Sequence, residues 1–346
     1  KRVYIHNTDE IVRRELQRRL DLLAQNVAAT GKRIVAWNAL PWPRSGMVEV
    51  AGKSIYVENV PANGYKTIAG DGGPRSARGA RRTVVAAEDG RTRRSASLRT
   101  TFYKAVFDLE RGGISSLIEK KTGRELVDKA SPYALGQFMH ECFSRKEVAN
   151  WMRAYSRMQG GWAANDFGKP GMPDVPYTVV MPGDWTLRGS DNDNVVILTA
   201  GDTKGLGKSI TVKFTFDPHS PAVDCEWRVT DKTPDPLPEG GWLCFPFAVN
   251  EPRFTLGRLN GPTDPATDII PGSGRYRYAV TTGVAITGAD ESGVGLCPID
   301  SPLISLDQPG LWKHSLDFVP RVPTVFVNLY NNEWNTNYPE WIGGTW

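Results

Sequence analysis

The sequence predicts a mainly β protein, in which a small β domain and one N-terminal helix precede a large antiparallel β-sandwich. Three observations predict this class. Strand-length segments rich in β-branched and aromatic residues recur along most of the chain. The 35 glycines and 25 prolines supply frequent turns between them. Helical patterns do not alternate with the strands, which argues against a parallel α/β sheet.

The N-terminal helix is predicted from apolar residues at helical spacing in residues 1–30. Thr8-Asp9-Glu10 forms a good start signal, and Gly31 is expected to end the helix. The apolar positions are Val12, Leu16, Leu20, Leu23 and Val27. One amphipathic helix cannot bury such a stripe alone. We therefore expect it to pack on the rest of the chain or on helices upstream of it.

A small β domain is predicted over residues 31–100. The segments 33–40 and 47–60 are strand-like, and the turn "PWPRSG" separates them. The following segment, 71–99, is loop-like and rich in arginine. The arginines could form a polyanion site, but no aromatic residues are interleaved with them. A solvated hairpin is the favoured interpretation.

The large sandwich is predicted over residues 101–346. Its clearest signal is the alternation in "SITVKFTF" and "VDCEWRV", which sets apolar residues on one face. The predicted inward residues are Ile210, Val212, Phe214, Phe216, Val223, Cys225, Trp227 and Val229. Residues 143–175 interrupt this pattern, and we expect a long irregular loop there.

Composition excludes several classes of function. The net charge of +4 is small for 346 residues and gives no reason to expect a nucleic-acid partner. No stretch reaches eighteen apolar residues, so no membrane span is predicted. The four cysteines form no C-x-x-C pair, which argues against a zinc cage or redox motif. No signal peptide is visible, and a bacterial cytoplasmic or secreted location is equally open.

Catalytic motifs are scarce. The four histidines include no H-x-D or H-E-x-x-H pattern, and no P-loop, G-x-S-x-G or dinucleotide fingerprint is present. His140 and Glu141 could form a ligand pair, although an ordinary partly buried histidine is the favoured interpretation. Asp224 and Glu226 are two residues apart on a strand and are expected on its solvent face. No catalytic residue or metal ligand is therefore assigned to this chain.

An asparagine- and tryptophan-rich segment, "NLYNNEWNTNYPEW" at 328–341, is the strongest compositional signal. Amides hydrogen-bond to sugar hydroxyls, and aromatic rings stack on the C–H faces of pyranoses. From this stretch alone, a loop that caps its own backbone and buries its rings is the favoured interpretation.

Several segments together resemble one known family. "RIVAWNALPWPRSGMVEV" and "VENVPANGYKTI" resemble the small β domain that follows the helical bundle of family 38 glycoside hydrolases, the α-mannosidases. "FDLERGGISSLIEKKTGREL" and "PIDSPLISL" resemble parts of the galactose-mutarotase-like β-sandwich of that family. "NLYNNEWNTNYPEW" resembles an asparagine- and tryptophan-rich segment of its bacterial members. The resemblance covers nearly all of residues 30–346, with the segments in the family's order.

The resemblance implies that the chain is the C-terminal β portion of a glycoside hydrolase acting on α-mannosides or related glycans. The family's (β/α) catalytic domain, with its nucleophile and its zinc or other divalent metal, has no counterpart in this sequence. The resemblance thus implies a partner domain on the same or a nicked chain.

The resemblance also implies a pocket rim built from loops of this chain, with Trp334 as a stacking platform. The implied substrate-binding residues are Tyr330, Asn331, Asn332, Trp334, Asn335, Asn337, His140 and Glu141, and Tyr133 is a weaker candidate.

Two other readings of the function stay open. The chain could be a noncatalytic carbohydrate-binding or scaffolding module, in which the β-sandwich grips glycans without chemistry. It could also be a mutarotase-like epimerase or a lyase, since similar sandwiches host both. A mutarotase needs a paired histidine and glutamate in the groove of the sandwich, and the sequence offers no convincing pair.

Overall fold

The computed structural model describes residues 2–28, 30–50, 53–69, 85–86, 95–155, 173–190 and 194–333. The chain divides into two compact units, Lys1–Gly79 and Ala80–Trp346. The predicted division into 1–30, 31–100 and 101–346 stays a prediction. The fold class is confirmed, because the structure is mainly β with antiparallel sheets and one N-terminal helix.

The described residues of the first unit form one helix and two strand pairs. Its elements are α1 (Arg2–Asn26), β1 (Arg33–Asn38), β2 (Arg44–Val50), β3 (Lys53–Val60) and β4 (Gly64–Ala69). The predicted helix start is wrong, because α1 begins at Arg2 and Asp9 lies inside it. Asp9 pairs there with Arg13, one turn later, at 2.6 Å. Leu16, a member of the apolar stripe of α1, is exposed. The packing partner predicted for this stripe therefore stays a prediction.

The segment 47–60 was predicted as one strand but is divided between two. β2 and β3 pair antiparallel, with Val50 opposite Lys53. β1 pairs with β4 rather than with β2. The buried Asn38 amide stabilises the connection by donating to the carbonyl oxygens of Trp42, at 2.8 Å, and Pro61, at 3.0 Å. The alternation of apolar residues along 47–60 does not show that the chain reverses between β2 and β3.

The second unit contains the remaining strands and a second helix. Its first elements are β5 (Val85–Ala86), β6 (Ser95–Arg99), β7 (Tyr103–Asp108), β8 (Gly113–Glu119), β9 (Gln137–Cys142), α2 (Arg145–Tyr155), β10 (Thr178–Val180), β11 (Gly183–Ser190), β12 (Val195–Asp202), β13 (Ser209–Phe216) and β14 (Val223–Thr230). They are followed by β15 (Glu239–Pro246), β16 (Arg253–Arg258), β17 (Gly261–Thr263), β18 (Tyr278–Ala279), β19 (Gly283–Thr287), β20 (Gly293–Leu296), β21 (Leu303–Leu306) and β22 (Thr324–Asn331).

The described strands of this unit form four antiparallel sheets. A six-stranded sheet has the order β10-β9-β15-β22-β21-β18, and three four-stranded sheets have the orders β5-β6-β7-β8, β11-β12-β13-β14 and β17-β16-β19-β20. The apolar alternation predicted on β13 is confirmed, since Ile210, Val212, Phe214 and Phe216 are all buried. On β14, Asp224 and Glu226 are exposed, as predicted for the solvent face, and Arg228 is exposed beside them.

The prediction of an irregular loop over residues 143–175 is wrong in its first part, where α2 forms. Ser144 and Glu147 make a capping box at its start. The Ser144 hydroxyl accepts from the Lys146 N–H at 3.0 Å, and Glu147 accepts from the Ser144 N–H at 3.0 Å. Residues 156–172, where the rest of the loop was predicted, lie outside the described residues. Most of the arginine-rich segment 71–99 lies outside them too.

The central strand β15 of the six-stranded sheet is buried on both faces, and every one of its residues is buried. One face contributes Phe138 and Leu243 to the main core of the unit. The other face packs against α2 and the segment 311–312 in what we call the second core. The buried members of the second core are Met139, Phe143, Val148, Trp151, Trp242, Cys244, Leu311, Trp312 and Phe326. Among the described residues, no helix is long and apolar enough to span a membrane.

Candidate functional site

Strand register brings together four of the sequence-predicted site residues at one end of the six-stranded sheet. They are His140 and Glu141 on β9, and Tyr330 and Asn331 on β22. β15 lies between these strands. Gly241 stands between His140 and Tyr330, and Gly240 stands between Glu141 and Asn331. Residues nearly two hundred positions apart in the chain thus become neighbours across one strand.

The two glycines of β15 permit this arrangement. A Cβ atom on Gly241 would lie 2.3 Å from Cε1 of Tyr330, far inside van der Waals contact. A Cβ atom on Gly240 would lie 2.0 Å from Cδ1 of Leu311. The Tyr330 ring therefore lies across β15 and reaches β9, in the space that a side chain at position 241 would fill.

His140 faces a cluster of buried polar groups, which we call the buried cluster: His140, Tyr330, Glu239 and Lys232. Nδ1 of His140 lies 2.9 Å from the Tyr330 hydroxyl, and Nε2 lies 3.7 Å from Oε2 of Glu239. Lys232 donates from Nζ to Oε1 of Glu239 at 2.7 Å. Its ammonium also lies 5.0 Å from the centroid of the Tyr330 ring. Each charged member of the cluster therefore has a partner inside it.

Burial sets the protonation states of this cluster. The pKa of His140 is lowered from 6.5 to about 4, by burial first and by the nearby Lys232 ammonium second, against an opposing effect of Asp235. Burial likewise raises the pKa of Tyr330 well above its ordinary value. Both groups are therefore neutral at pH 7, and their hydrogen bond joins two uncharged partners. A neutral imidazole close to a carboxylate is suited to moving a proton.

Glu141 points to the opposite face of the sheet, into the second core. Its Oε1 accepts from the Tyr177 hydroxyl and its Oε2 from the Trp242 indole N–H, both at 2.7 Å. Burial raises the pKa of Glu141, while these two hydrogen bonds and the Lys313 charge act in the lowering direction. His140 and Glu141 thus face different layers, so they do not form the ligand pair that their sequence adjacency suggested.

The described asparagines of the predicted rim donate to groups inside the protein. Asn331 donates from Nδ2 to Oδ1 of Asn328 at 2.8 Å. Asn332 donates from Nδ2 to the carbonyl oxygens of Asp235, at 2.8 Å, and Leu237, at 3.1 Å. These bonds fix the start of the asparagine-rich segment to the chain that precedes Glu239. Trp334, Asn335 and Asn337 lie outside the described residues, and the rim role of the whole set stays a prediction.

Tyr133, the weaker candidate, lies on the same side of the sheet as Glu141. Its ring packs edge-on to Phe326, with centroids 5.4 Å apart. Burial, with smaller effects of Cys244 and Glu141, raises its pKa to about 12. Its hydroxyl is therefore neutral at physiological pH.

Sequence reasoning missed Glu239 and Lys232, which complete the buried cluster. Both are almost fully buried, and they lie seven positions apart in a proline-rich stretch with no periodic signal. It also missed Glu333, a buried carboxylate that pairs with Arg277 and accepts from the Trp312 N–H at 3.4 Å. The "EGG" that opens β15 was the one available cue, since paired glycines in a strand mark a close approach.

Two arrangements can be excluded for the groups that the structure places. Glu141 and Glu239 point to opposite faces of one sheet, so they cannot flank a single glycosidic bond as a catalytic pair. Within the described ranges, no group of three or more His, Cys, Asp and Glu side chains is placed to hold a metal ion. The zinc or other divalent metal that the resemblance implies is expected in the catalytic domain, and it stays a prediction.

The low pKa of His140 makes stability depend on pH. The folded state keeps His140 neutral down to about pH 4, whereas the unfolded chain takes up a proton near its ordinary pKa of 6.5. The unfolded state therefore binds more protons between these values, and this contribution to stability is lost as pH falls from 6.5 to 4. We expect a loss on the order of 3 kcal/mol that His140→Gln does not show.

This pH dependence is measured by NMR titration of the imidazole, together with urea unfolding of both proteins across the same pH range. An imidazole that titrates close to 6.5, or identical pH profiles for the two proteins, would contradict the buried, neutral state of His140.

Comparison with known proteins gives limited information. No family model matches the sequence, and no curated protein matches it. A galactose mutarotase-like protein from Lactobacillus casei ATCC 334 is similar in structure, with a TM-score of 0.37 and 12% identity over 68% of this chain and 86% of that one. A galactose mutarotase related enzyme from Lactobacillus acidophilus has a TM-score of 0.35 and 11% identity over 69% of this chain and 85% of that one. At these values the likeness supports no functional assignment, and the resemblance to α-mannosidases stays a prediction.

Proposed function

We propose that this chain is the C-terminal β portion of a glycoside hydrolase that acts on α-mannosides or related glycans. In this proposal it packs on a (β/α) catalytic domain, carried on the same or a nicked chain, and lends loops to the rim of the sugar pocket. The nucleophile, and the zinc or other divalent metal, would belong to that catalytic domain.

The main support for the proposal is the place in the sheet where β22 ends. The asparagine- and tryptophan-rich segment continues from Tyr330 and Asn331, which stand beside His140 and Glu141 in the six-stranded sheet. Asn332 adds a backbone bond, with its N–H donating to the Glu239 carbonyl at 2.9 Å. A loop that starts from so rigid a base suits a site that must hold a ligand in one geometry.

The buried acids Glu141 and Glu239 give no support to a catalytic role for this chain. Glu141 accepts two hydrogen bonds, and Glu239 is paired with Lys232. Both are almost fully buried, whereas a general acid or nucleophile must reach the substrate. The proposal therefore assigns substrate contact, not bond cleavage, to this part of the enzyme.

Replacement of Trp334 tests the rim directly. If its ring stacks on a sugar face, Trp334→Ala should weaken the binding of α-mannobiose roughly tenfold, in line with the energy of a well-placed aromatic contact. Binding is measured by calorimetry on the full-length protein that carries this chain. Trp42→Ala, which removes an exposed tryptophan of the first unit, is the matched control and should bind as the wild type does.

Three outcomes separate the readings. Hydrolysis of 4-nitrophenyl α-mannoside by the full-length protein, with weaker substrate binding in Trp334→Ala, supports the hydrolase proposal. Binding without hydrolysis indicates the noncatalytic carbohydrate-binding module. Unchanged affinity and turnover in Trp334→Ala would contradict the proposed role of Trp334 at the pocket rim.

A second candidate function is favoured by one observation, the distance of 3.7 Å between Nε2 of His140 and Oε2 of Glu239. Interconversion of sugar anomers needs one group that takes a proton from the anomeric hydroxyl and another that protonates the ring oxygen. A histidine and a glutamate at this separation are of the right chemical types. Their burial, with side-chain exposures of 8% and 10%, argues against this candidate, because a sugar must reach both groups.

The exchange of galactose anomers, followed by NMR, tests the second candidate. An active protein should lose its acceleration of the exchange in both His140→Gln and Glu239→Gln, while Glu226→Gln on the exposed face of β14 keeps it. No acceleration by the wild-type protein would remove this candidate.

A further inference from the structure

Two aromatic side chains stand side by side on the outer face of the strand pair β1–β4 in the first unit. Trp37 on β1 lies directly opposite Tyr65 on β4 in the antiparallel register. Directly opposite residues point to the same face of a sheet, with Cβ atoms about 5 Å apart. Both residues are exposed, Trp37 at 43% and Tyr65 at 46%. Single exposed aromatic residues are common, but two neighbours form a patch of the kind that marks a binding surface.

The alternation along the strands separates this face from the small core of the unit. Ala36 on β1 is buried in that core, and Trp37, the next residue, points away from it. Tyr65 stands opposite Trp37 and points the same way. The next opposed pair on the outer face is Val35 and Thr67. We call Val35, Trp37, Tyr65 and Thr67 the aromatic platform.

Hydrogen bonds hold the end of the strand pair beside the platform. The buried Asn38 amide, next to Trp37 in the chain, donates to the Trp42 carbonyl at 2.8 Å. The Asn63 N–H donates to the Leu40 carbonyl at 2.9 Å and closes the connection from the other side. Aromatic rings on a backbone held in this way need little ordering when a ligand binds, since each has only two side-chain torsions to fix.

The chemistry of the platform favours an uncharged ligand with many hydroxyl groups. None of its four residues carries a charge. The Trp37 indole N–H and the Tyr65 hydroxyl donate to no group among the residues that the structure describes. Each ring therefore offers an apolar face and a free donor at its edge. A pyranose matches both features, because its faces carry C–H groups and its rim carries hydroxyls.

The area of the platform suits a small ligand better than a protein. The six residue pairs of β1 and β4 form a face roughly 20 Å long and about 10 Å wide, which is on the order of 200 Å². A stable interface between two proteins buries about 800 Å² on each partner. A short oligosaccharide needs no more surface than the platform offers.

We infer that the aromatic platform binds a neutral oligosaccharide of β-1,4-linked glucose. The ring substituents of β-glucose are all equatorial, so both faces of its pyranose carry only C–H groups. An extended chain of such units can lay two neighbouring pyranoses on Trp37 and Tyr65, which are neighbours across the strand pair. Mannose is less suited to a flat platform, because its axial hydroxyl interrupts one face. This site does not depend on the proposed hydrolase role.

Titration of the full-length protein that carries this chain with cellotetraose tests the inference. Binding is followed by calorimetry and by NMR of the Trp37 indole N–H signal, which is assigned from its absence in Trp37→Ala. We expect that signal to shift with cellotetraose and not with maltotetraose, whose α-1,4 links curve the chain away from a flat surface. Trp37→Ala and Tyr65→Ala should each weaken binding about tenfold, because each removes a stacked ring.

Tyr4→Ala is the matched control, since Tyr4 is an exposed tyrosine on α1 of the same unit, and this variant should bind as the wild type does. Trp37→Phe and Tyr65→Phe keep a ring and should keep most of the affinity, which separates lost stacking from misfolding. No binding of cellotetraose, tighter binding of maltotetraose, or equal binding by the wild type and both alanine variants would overturn the inference. Self-association of the wild type that Trp37→Ala abolishes would assign this face to a second copy of the chain, and would overturn it too.

Discussion

The close approach of side chains to Gly240 and Gly241 on β15 is the constraint on which the candidate site depends. β15 is buried on both faces, and its two glycines face opposite layers. On one side the Tyr330 ring occupies the space above Gly241, and on the other Leu311 occupies the space below Gly240. Because neither position has room for a Cβ atom, the tyrosine can reach across the strand to His140, and the second core can close against the sheet.

The buried polar groups then depend on one another. Lys232 and Glu239 form an ion pair in which both members are almost fully buried, and such a pair is stable only while both are present. His140 lies between this pair and Tyr330, and burial keeps the imidazole neutral. On the other face, Glu141 is held by Tyr177 and Trp242. Two polar networks on opposite faces thus share one end of the sheet, and both lie at the base of the asparagine-rich segment.

Local patterns predicted those parts of the fold that local physics determines. The alternation on β13 and β14 was readable because each strand has one apolar and one polar face. The helix α2 was not predicted although Ser144 and Glu147 form a capping box, because the glycine-rich sequence that follows it is typical of a loop. The contacts of His140 with Tyr330 and Glu239 arise from strand register across β15, which no local pattern encodes. His140, Glu141, Tyr330 and Asn331 were named in advance, but their division between two faces was not.

Replacement of Gly241 by alanine tests this account most directly. The new methyl group would collide with the Tyr330 ring, so we expect a loss of about 1–3 kcal/mol in unfolding free energy and a changed environment of the His140 imidazole in NMR spectra. Gly295→Ala is the matched control, because a Cβ atom on that strand glycine meets no atom within 4 Å. Equal stability of the two variants, with an unchanged His140 signal in Gly241→Ala, would contradict the central role of the glycine pair.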